Sequence, residues 1–333
     1  MPELRFDVTA IGNALVDVIA EVDDAWVALH GLEKGTMLLV DPEAAERIYG
    51  DLPPAIESSG GSAANTVAGI ASLGGRAAYI GKVRDDQLGR VFAHDLRAAG
   101  VAFDVPALAS GPPTGRSLIA VTPDAQRTMQ TLLGAAVELG PEDVDETLIA
   151  SSAVTYLEGY LWDPPRAKEA FLKAARVAHH AGRRVALTLS DRFCVDRHRQ
   201  EFLDLVEHHV DVLFANEAEI TALYQVHRFD DALQHVVGHC EVAALTRSEK
   251  GAVILGAGEV HIVDAERIGP VVDTTGAGDL FAAGVLYGLT HGHDLALSGQ
   301  LGALCAAEVI CHYGARSERP LRDLVRQRLG IAI

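Results

Sequence analysis

Apolar residues recur along this chain in two alternating rhythms. Short runs such as "FDVTAIG" (6–12), "AAYIGKV" (77–83), "RRVALTLSD" (183–191), "VDVLFAN" (210–216) and "CEVAALT" (240–246) are apolar almost throughout and too short for helices. That is the pattern of strands buried on both faces. Between such runs lie stretches with apolar positions three and four apart. "SAANTVAGIASLG" (62–74) stops at paired glycines, and "DQLGRVFAHDLRAAG" (86–100) is amphipathic and closes on glycine. The alternation predicts an α/β protein with a mostly parallel sheet covered by helices on both faces.

Two regions break the rhythm. Residues 16–40 and 113–133 ("PTGRSLIAVTPDAQRTMQTLL") read as strand, turn, strand, with too little helix for crossovers. Pro123 and Asp124 fall where a hairpin turn belongs. The prediction is a small β-sheet, formed by about 14–40 and 113–133, standing off the α/β body as a lid. No internal repeat or low-complexity linker divides the chain, so 1–333 reads as one unit.

Composition narrows the setting. With 333 residues, 49% hydrophobic and 22% charged, the chain has room for a large core and is not disordered. A net charge of −18 speaks against nucleic acid or an anionic membrane as a main partner. The N-terminus lacks the pattern of a signal peptide, and no apolar run reaches membrane-spanning length uninterrupted. Cys194, Cys240, Cys305 and Cys311 form no CxxC and no zinc-finger spacing. The expectation is a cytoplasmic protein with reduced thiols. If so acidic a chain handles an anion, the positive potential must be local.

Several motif resemblances fail on inspection. "GRAAYIGKV" misses the phosphate-loop template: its glycines are one residue too far apart, and Val83 stands where a magnesium-binding hydroxyl belongs. "GAGEVH" (256–261) lacks the third glycine of a dinucleotide turn and reads as a hairpin. His235, His239 and Cys240 have helical spacing but no further ligand nearby in sequence, and read as an exposed helix end.

"DTTGAGDLFAAG" (273–284) is different. Gly276, Ala277 and Gly278 let a ligand approach the backbone where a long helical pattern begins, and a helix N-terminus favours anions. Asp279 falls in the first turn. Taken alone, it fits either an acid that complements the dipole or a base for a nucleophile attacking the bound anion. The small residues beside it favour the base. "SSGGSAANT" (58–66) opens another helix with paired glycines and carries Asn65 one turn in. Asn13 and Asp17 follow the first buried strand, as loop residues or as partners of a polyol. Asn216 and Glu219 lie three apart at a helix start, as a cap or as organisers of magnesium-bound water.

Taken in order, these pieces resemble the ribokinase/PfkB family of carbohydrate and nucleoside kinases over essentially the whole chain. The resemblance implies a ribokinase-like doubly wound fold with a small β-sheet lid. It implies Asp279 as general base, with the amides of Gly276, Ala277 and Gly278 as the anion hole for the transferring phosphoryl group. Asn13, Asp17, Gly60, Gly61, Ser62, Asn65, Arg127 and Tyr160 would line the substrate site; an arginine at the place of Arg127 lies near the phosphates in related kinases. Asn216, Thr246 and Gly251 would serve the nucleotide, although "TRSEKG" (246–251) has Ser248 where the family motif has its middle glycine. Glu219 would act on Mg²⁺ through water, and K⁺ binding near the DTT loop would involve Asp273 and Thr275.

Within the family, "GNALVDV", "SGGSAANT" and "EGYLWDPP" look most like the adenosine-kinase branch, with Tyr160 and Trp162 offered as a purine wall. The implied reaction is transfer from ATP to the 5′-hydroxyl of adenosine. The alternative is a free sugar such as ribose or fructose. The implied partners are small molecules, and the assembly a monomer or a homodimer.

Overall fold

The computed structural model describes residues 2–124 and 126–333. Among them the strands are, in chain order, β1 (Phe6–Ile11), β2 (Leu15–Glu21), β3 (Met37–Leu39), β4 (Ile56–Gly60), β5 (Ala77–Ile80), β6 (Val101–Ala102), β7 (Gly115–Val121), β8 (Arg127–Leu132), β9 (Ser152–Glu158), β10 (Arg184–Thr188), β11 (Val212–Asn216), β12 (Val242–Thr246), β13 (Ala252–Gly256) and β14 (Glu259–Val263). The α-helices are α1 (Asp24–Leu29), α2 (Pro42–Asp51), α3 (Ser62–Ser72), α4 (Gln87–Ala98), α5 (Glu146–Ala150), α6 (Pro165–His180), α7 (Arg192–His208), α8 (Glu217–Tyr224), α9 (Phe229–Val236), α10 (Ala277–Thr290), α11 (Leu295–Val309) and α12 (Leu321–Leu329).

The large sheet runs β14-β13-β12-β11-β10-β9-β1-β5-β6 and is parallel from β12 to β6. Only the β12–β13–β14 edge is antiparallel, and "GAGEVH" makes the tight connection between β13 and β14. Because successive strand residues face opposite sides, each central strand feeds two cores. Val212 and Phe214 pack with α3, α10 and α11 on one face, whereas Leu213 and Ala215 pack with α6 and α7 on the other. Helices α10 and α11 touch through small residues. A Cβ on Gly284 would lie 2.5 Å from the backbone of Leu301 and Gly302, so the helices need glycine there.

The small sheet runs β3-β8-β7-β2-β4. β7 and β8 pair antiparallel as a hairpin; residue 125 of their connection lies outside the described residues. Two features differ from the sequence reading. Residues 24–29 form a helix, because the Asp23 carboxylate caps the Trp26 N–H and Trp26 stacks on His30. The segment 56–60, which reads as part of a glycine-rich turn, is a strand paired with β2. Its pairing partner lies about forty residues earlier in the chain, and local pattern does not reveal it.

Candidate active site

Asn13 follows β1, Glu158 ends β9, Thr188 ends β10, Asn216 ends β11 and Thr246 ends β12. These carboxyl ends of parallel strands, with the small sheet across from them, line a cavity of about 960 Å³. Such a crevice is where open α/β sheets bind ligands, and this one is large enough for two.

Two helix N-termini meet at its centre. α3 starts after Gly61, whose φ is +93° and whose added Cβ would lie 2.2 Å from the Asn13 carbonyl oxygen. α10 starts after Gly276, with φ +75° and Ala315 against the place of a Cβ. Both positions require glycine. From α3, the Ser62 hydroxyl donates to Asp279 Oδ1 at 2.7 Å and Asn65 Nδ2 donates to Oδ2 at 2.9 Å. Burial lifts the Asp279 carboxyl above its ordinary range; these two hydrogen bonds, then Arg316 and Arg127, act against the rise. Beside it, the N–H groups of Gly276 and Gly278 find no acceptor among the described residues. The Ala277 N–H is spent on Thr274 O at 3.3 Å, so the three amides are not equally free.

The remaining polar groups are held in a consistent way. Glu158 Oε1 accepts from Asn13 N and Nδ2, and Oε2 accepts from Ala63 N. Burial outweighs these bonds and pushes Glu158 up to about 7. With their amide nitrogens committed to carboxylates, Asn13 and Asn65 each keep a buried Oδ1 with no donor. Asp17, 6% exposed, is likewise pushed up to about 7, first by burial and then by Asp279 and Asp273, with Arg316 opposing. Its carboxyl rests against Gly60, where a Cβ would collide with it.

Arg127, on β8, reaches across to the loop before α10. It donates to the Thr275 hydroxyl at 2.7 Å and the Thr274 hydroxyl at 3.2 Å, and its Nε lies 3.2 Å from Asp273 Oδ1. Asp273 also accepts from Thr275 N, the Thr275 hydroxyl and Gly314 N. Arg127 therefore already neutralises Asp273, and Asp273 and Thr275 alone make no cage for K⁺; such an ion would need further oxygen ligands.

Asn216 caps α8 in a capping box with Glu219: Glu219 N donates to Asn216 Oδ1, and Asn216 N donates to Glu219 Oε2, both at 2.9 Å. The structure shows the cap, and both residues also line the cavity. Glu219 is pushed up to about 7 by burial. No cluster of three metal-binding side chains exists among the described residues. One carboxylate facing a polar crevice fits Mg²⁺ held mainly by water and phosphate oxygens.

Thr246, Ser248 and Gly251 line the other end of the cavity. Ser248 has φ +52°, the left-handed conformation the family's glycine would take without strain. Gly251 has φ +82° and lies against Val263 O.

Leu15, Met37, Ile119, Met129 and Leu133 form an apolar wall on the small-sheet side. Tyr160 lines the cavity, but Trp162 does not: it is buried against Phe171 and Phe202, with its indole N–H on Glu201. Both rings adjoin the same core, but only Tyr160 reaches the cavity, which corrects the expected aromatic pair. Glu158 and Arg316 have no role in the sequence reading. An acid closing the apolar run "SAVTYLE" was a signal for Glu158; "YGARSERP" carries no local signal for Arg316.

The pfkB family carbohydrate kinase model matches residues 56–322. An adenosine kinase from Sinorhizobium meliloti superposes with a TM-score of 0.92 at 53% identity, covering 97% of this chain and 99% of that one. A probable sugar kinase from Rhizobium etli CFN 42 gives 0.94 at 52%, covering 98% and 100%. An ATP-dependent ribose-1-phosphate kinase from Halopiger xanaduensis is 31% identical over 276 residues, 81% of this chain and 86% of its own length. The fold is the ribokinase-like α/β arrangement expected from the sequence.

Proposed function

The chain belongs to the pfkB family of carbohydrate kinases, phosphotransferases acting on hydroxyl groups, and we propose that it transfers the γ-phosphoryl of ATP to the 5′-hydroxyl of adenosine. One observation carries the choice of acceptor. Two buried carbonyl acceptors, Asn13 Oδ1 and Asn65 Oδ1, lie in one cavity with the Asp17 carboxyl and the apolar wall of Met37, Ile119 and Met129. Inward acceptors suit the hydroxyls of a ribose, and an apolar wall suits a flat base. The likeness to the S. meliloti adenosine kinase supports the same acceptor.

In this reading Asp279 takes the proton of the attacking hydroxyl. Ser62 and Asn65 aim its carboxylate, and the upward direction of its shift makes it a stronger base than an ordinary carboxylate. The free amides of Gly276 and Gly278, with the α10 dipole and Arg127, receive the charge of the phosphoryl oxygens. Through water, Glu219 and Asn216 would hold Mg²⁺, which would supply neutralisation of phosphate charge. Thr246 and Gly251 would take the nucleotide. The small sheet would act as a lid that excludes water from the reacting phosphate. Trp162, packed in the core, has no part.

A kinase of ribose or fructose is the second reading, favoured by the likeness to the R. etli probable sugar kinase. An acceptor screen with MgATP decides between them. Adenosine should exceed ribose and fructose in kcat/KM by about a thousandfold, since a free sugar leaves the apolar wall unfilled. A preference for either sugar would overturn the adenosine assignment. Asp279→Asn should lower kcat by about a hundredfold to ten-thousandfold while ATP still binds; near-normal turnover would remove Asp279 as the base.

A further inference from the structure

The turn after α11 touches both halves of the site through three consecutive residues. The Gly314 N–H donates to Asp273 Oδ2 at 2.9 Å. Ala315 fills the place where Gly276 would carry a Cβ, with its Cβ at 2.7 Å and its Cα at 2.8 Å. The Arg316 side chain then turns to the opposite loop. Its Nε and Nη2 donate to Ser59 O at 3.1 and 3.0 Å, Nη2 also to the Ser59 hydroxyl at 2.9 Å, and Nη1 to Ala64 O at 2.8 Å. Ser59 and Ala64 flank the Gly60–Gly61 pair, and Ser59 N is itself held by Asp95 at 2.7 Å. The guanidinium thus grips the start of α3 from behind, while the same turn backs the start of α10.

Arg316 is engaged only by backbone carbonyls and one hydroxyl. No carboxylate lies within 4 Å of it among the described residues, although most other arginines around the site are ion-paired, Arg127 to Asp273 and Arg197 to Asp163. A guanidinium with no direct ion pair, in a protein of net charge −18, interacts electrostatically first with Asp95 from α4 and then with Asp17 and Asp279.

We infer that Arg316 is a positioning residue for phosphoryl transfer: it fixes the spacing between the two glycine turns and brings its positive charge to bear on Asp279. The inference rests on Asp279 being the base. Facing Asp279 are Asp17 from β2, Glu158 and Tyr156 from β9, Tyr160 from the following turn and Arg127 from β8; Asp273 from the loop before α10 acts on Asp17, and Asp95 from α4 and Tyr79 from β5 face Arg316. The acids oppose ionisation and the two arginines favour it. Loss of one arginine leaves the balance with Arg127 alone.

Arg316→Met and Arg316→Lys separate charge from geometry. In the pH profile of kcat/KM, the acid limb of Arg316→Met should move up by about one pH unit, because a missing nearby cation raises the carboxyl pKa. Its plateau kcat should fall by about tenfold or more, through lost alignment. Arg316→Lys keeps the charge but not the fork, so its limb should stay near wild type while kcat still falls. Rates are normalised to the folded, ATP-binding fraction measured by calorimetry. Wild-type kcat and an unmoved limb in both variants would overturn the inference, as would activity lost only in proportion to unfolded protein. If Arg316→Met does not fold, Arg316→Lys decides: depressed kcat with an unmoved limb supports the inference, and wild-type kcat overturns it. An Asp279→Asn enzyme with normal turnover and no acid limb in the wild type would instead defeat the base assignment, whatever Arg316 does.

Discussion

Asp17 is buried with no hydrogen-bond donor on its carboxyl among the described residues, and desolvation pushes it up to about 7. The consequence for stability has a definite sign. Below the ordinary carboxyl range both folded and unfolded chains hold the proton, and stability is unaffected. As pH rises towards 7 the unfolded chain loses that proton and the native one keeps it, so stability falls, by about 1.4 kcal/mol per pH unit for one such group. The fall ends once the native group ionises above about 7. Asp17→Asn should therefore be more resistant to urea than wild type, by a margin that is larger at pH 8 than at pH 5. The same variant should show a raised KM for adenosine. Glu158 and Glu219, also pushed up to about 7, add to the wild-type slope in the same direction and keep part of it in the variant. A site that strips three carboxylates of water loses stability to keep its chemistry.

The N-terminus of α10 carries two glycines that do different things. Gly276 sits at φ +75° with Ala315 against it, whereas Gly278 is helical with open space where a Cβ would go. Gly276→Ala should lower stability by about 1–2 kcal/mol from left-handed strain alone, with contact with Ala315 adding to it. Gly278→Ala should leave stability unchanged, or raise it by up to about 1 kcal/mol as helix propensity favours alanine. Yet it should raise the KM for ATP, because the new methyl occupies the space in front of a free amide. Thermal melts and steady-state kinetics on the pair test both claims. The site's helices were legible in the sequence because glycine pairs before an apolar helical pattern mark a start. The contact between them was not. Ser62 and Asp279 are 217 residues apart, and nothing in either segment encodes the other.

Across the whole molecule, the net charge of −18 sets a background repulsive to ATP that a few oriented groups reverse locally. Screening weakens the long-range repulsion more than the short-range contacts. Raising ionic strength with tetramethylammonium chloride from low to physiological levels, at saturating Mg²⁺, should therefore increase kcat/KM for ATP. A decrease would mean that the local positive field extends beyond the cavity mouth. The two cores also belong to this scale. Alternate residues of β11 and β12 fill opposite faces, so the large sheet is rigid where its strand ends carry the site, while the five-stranded sheet brings β8 and Arg127 over it.

By itself the sequence determined what short-range physics can encode. The strand and helix rhythms, the glycine-opened helix starts and the one acid beside small residues were enough for the α/β class and for the segments around Asp279. Tertiary structure decided which groups meet. Folding set Glu158 under Asn13, turned Trp162 into the core, placed Arg127 on Asp273 and sent Arg316 behind the glycine pair. It also left the carbonyl oxygens of Asn13 and Asn65 buried without donors. Each of these depends on burial and on partners far apart in the chain, and so on the packing of the whole molecule rather than on the residues to either side.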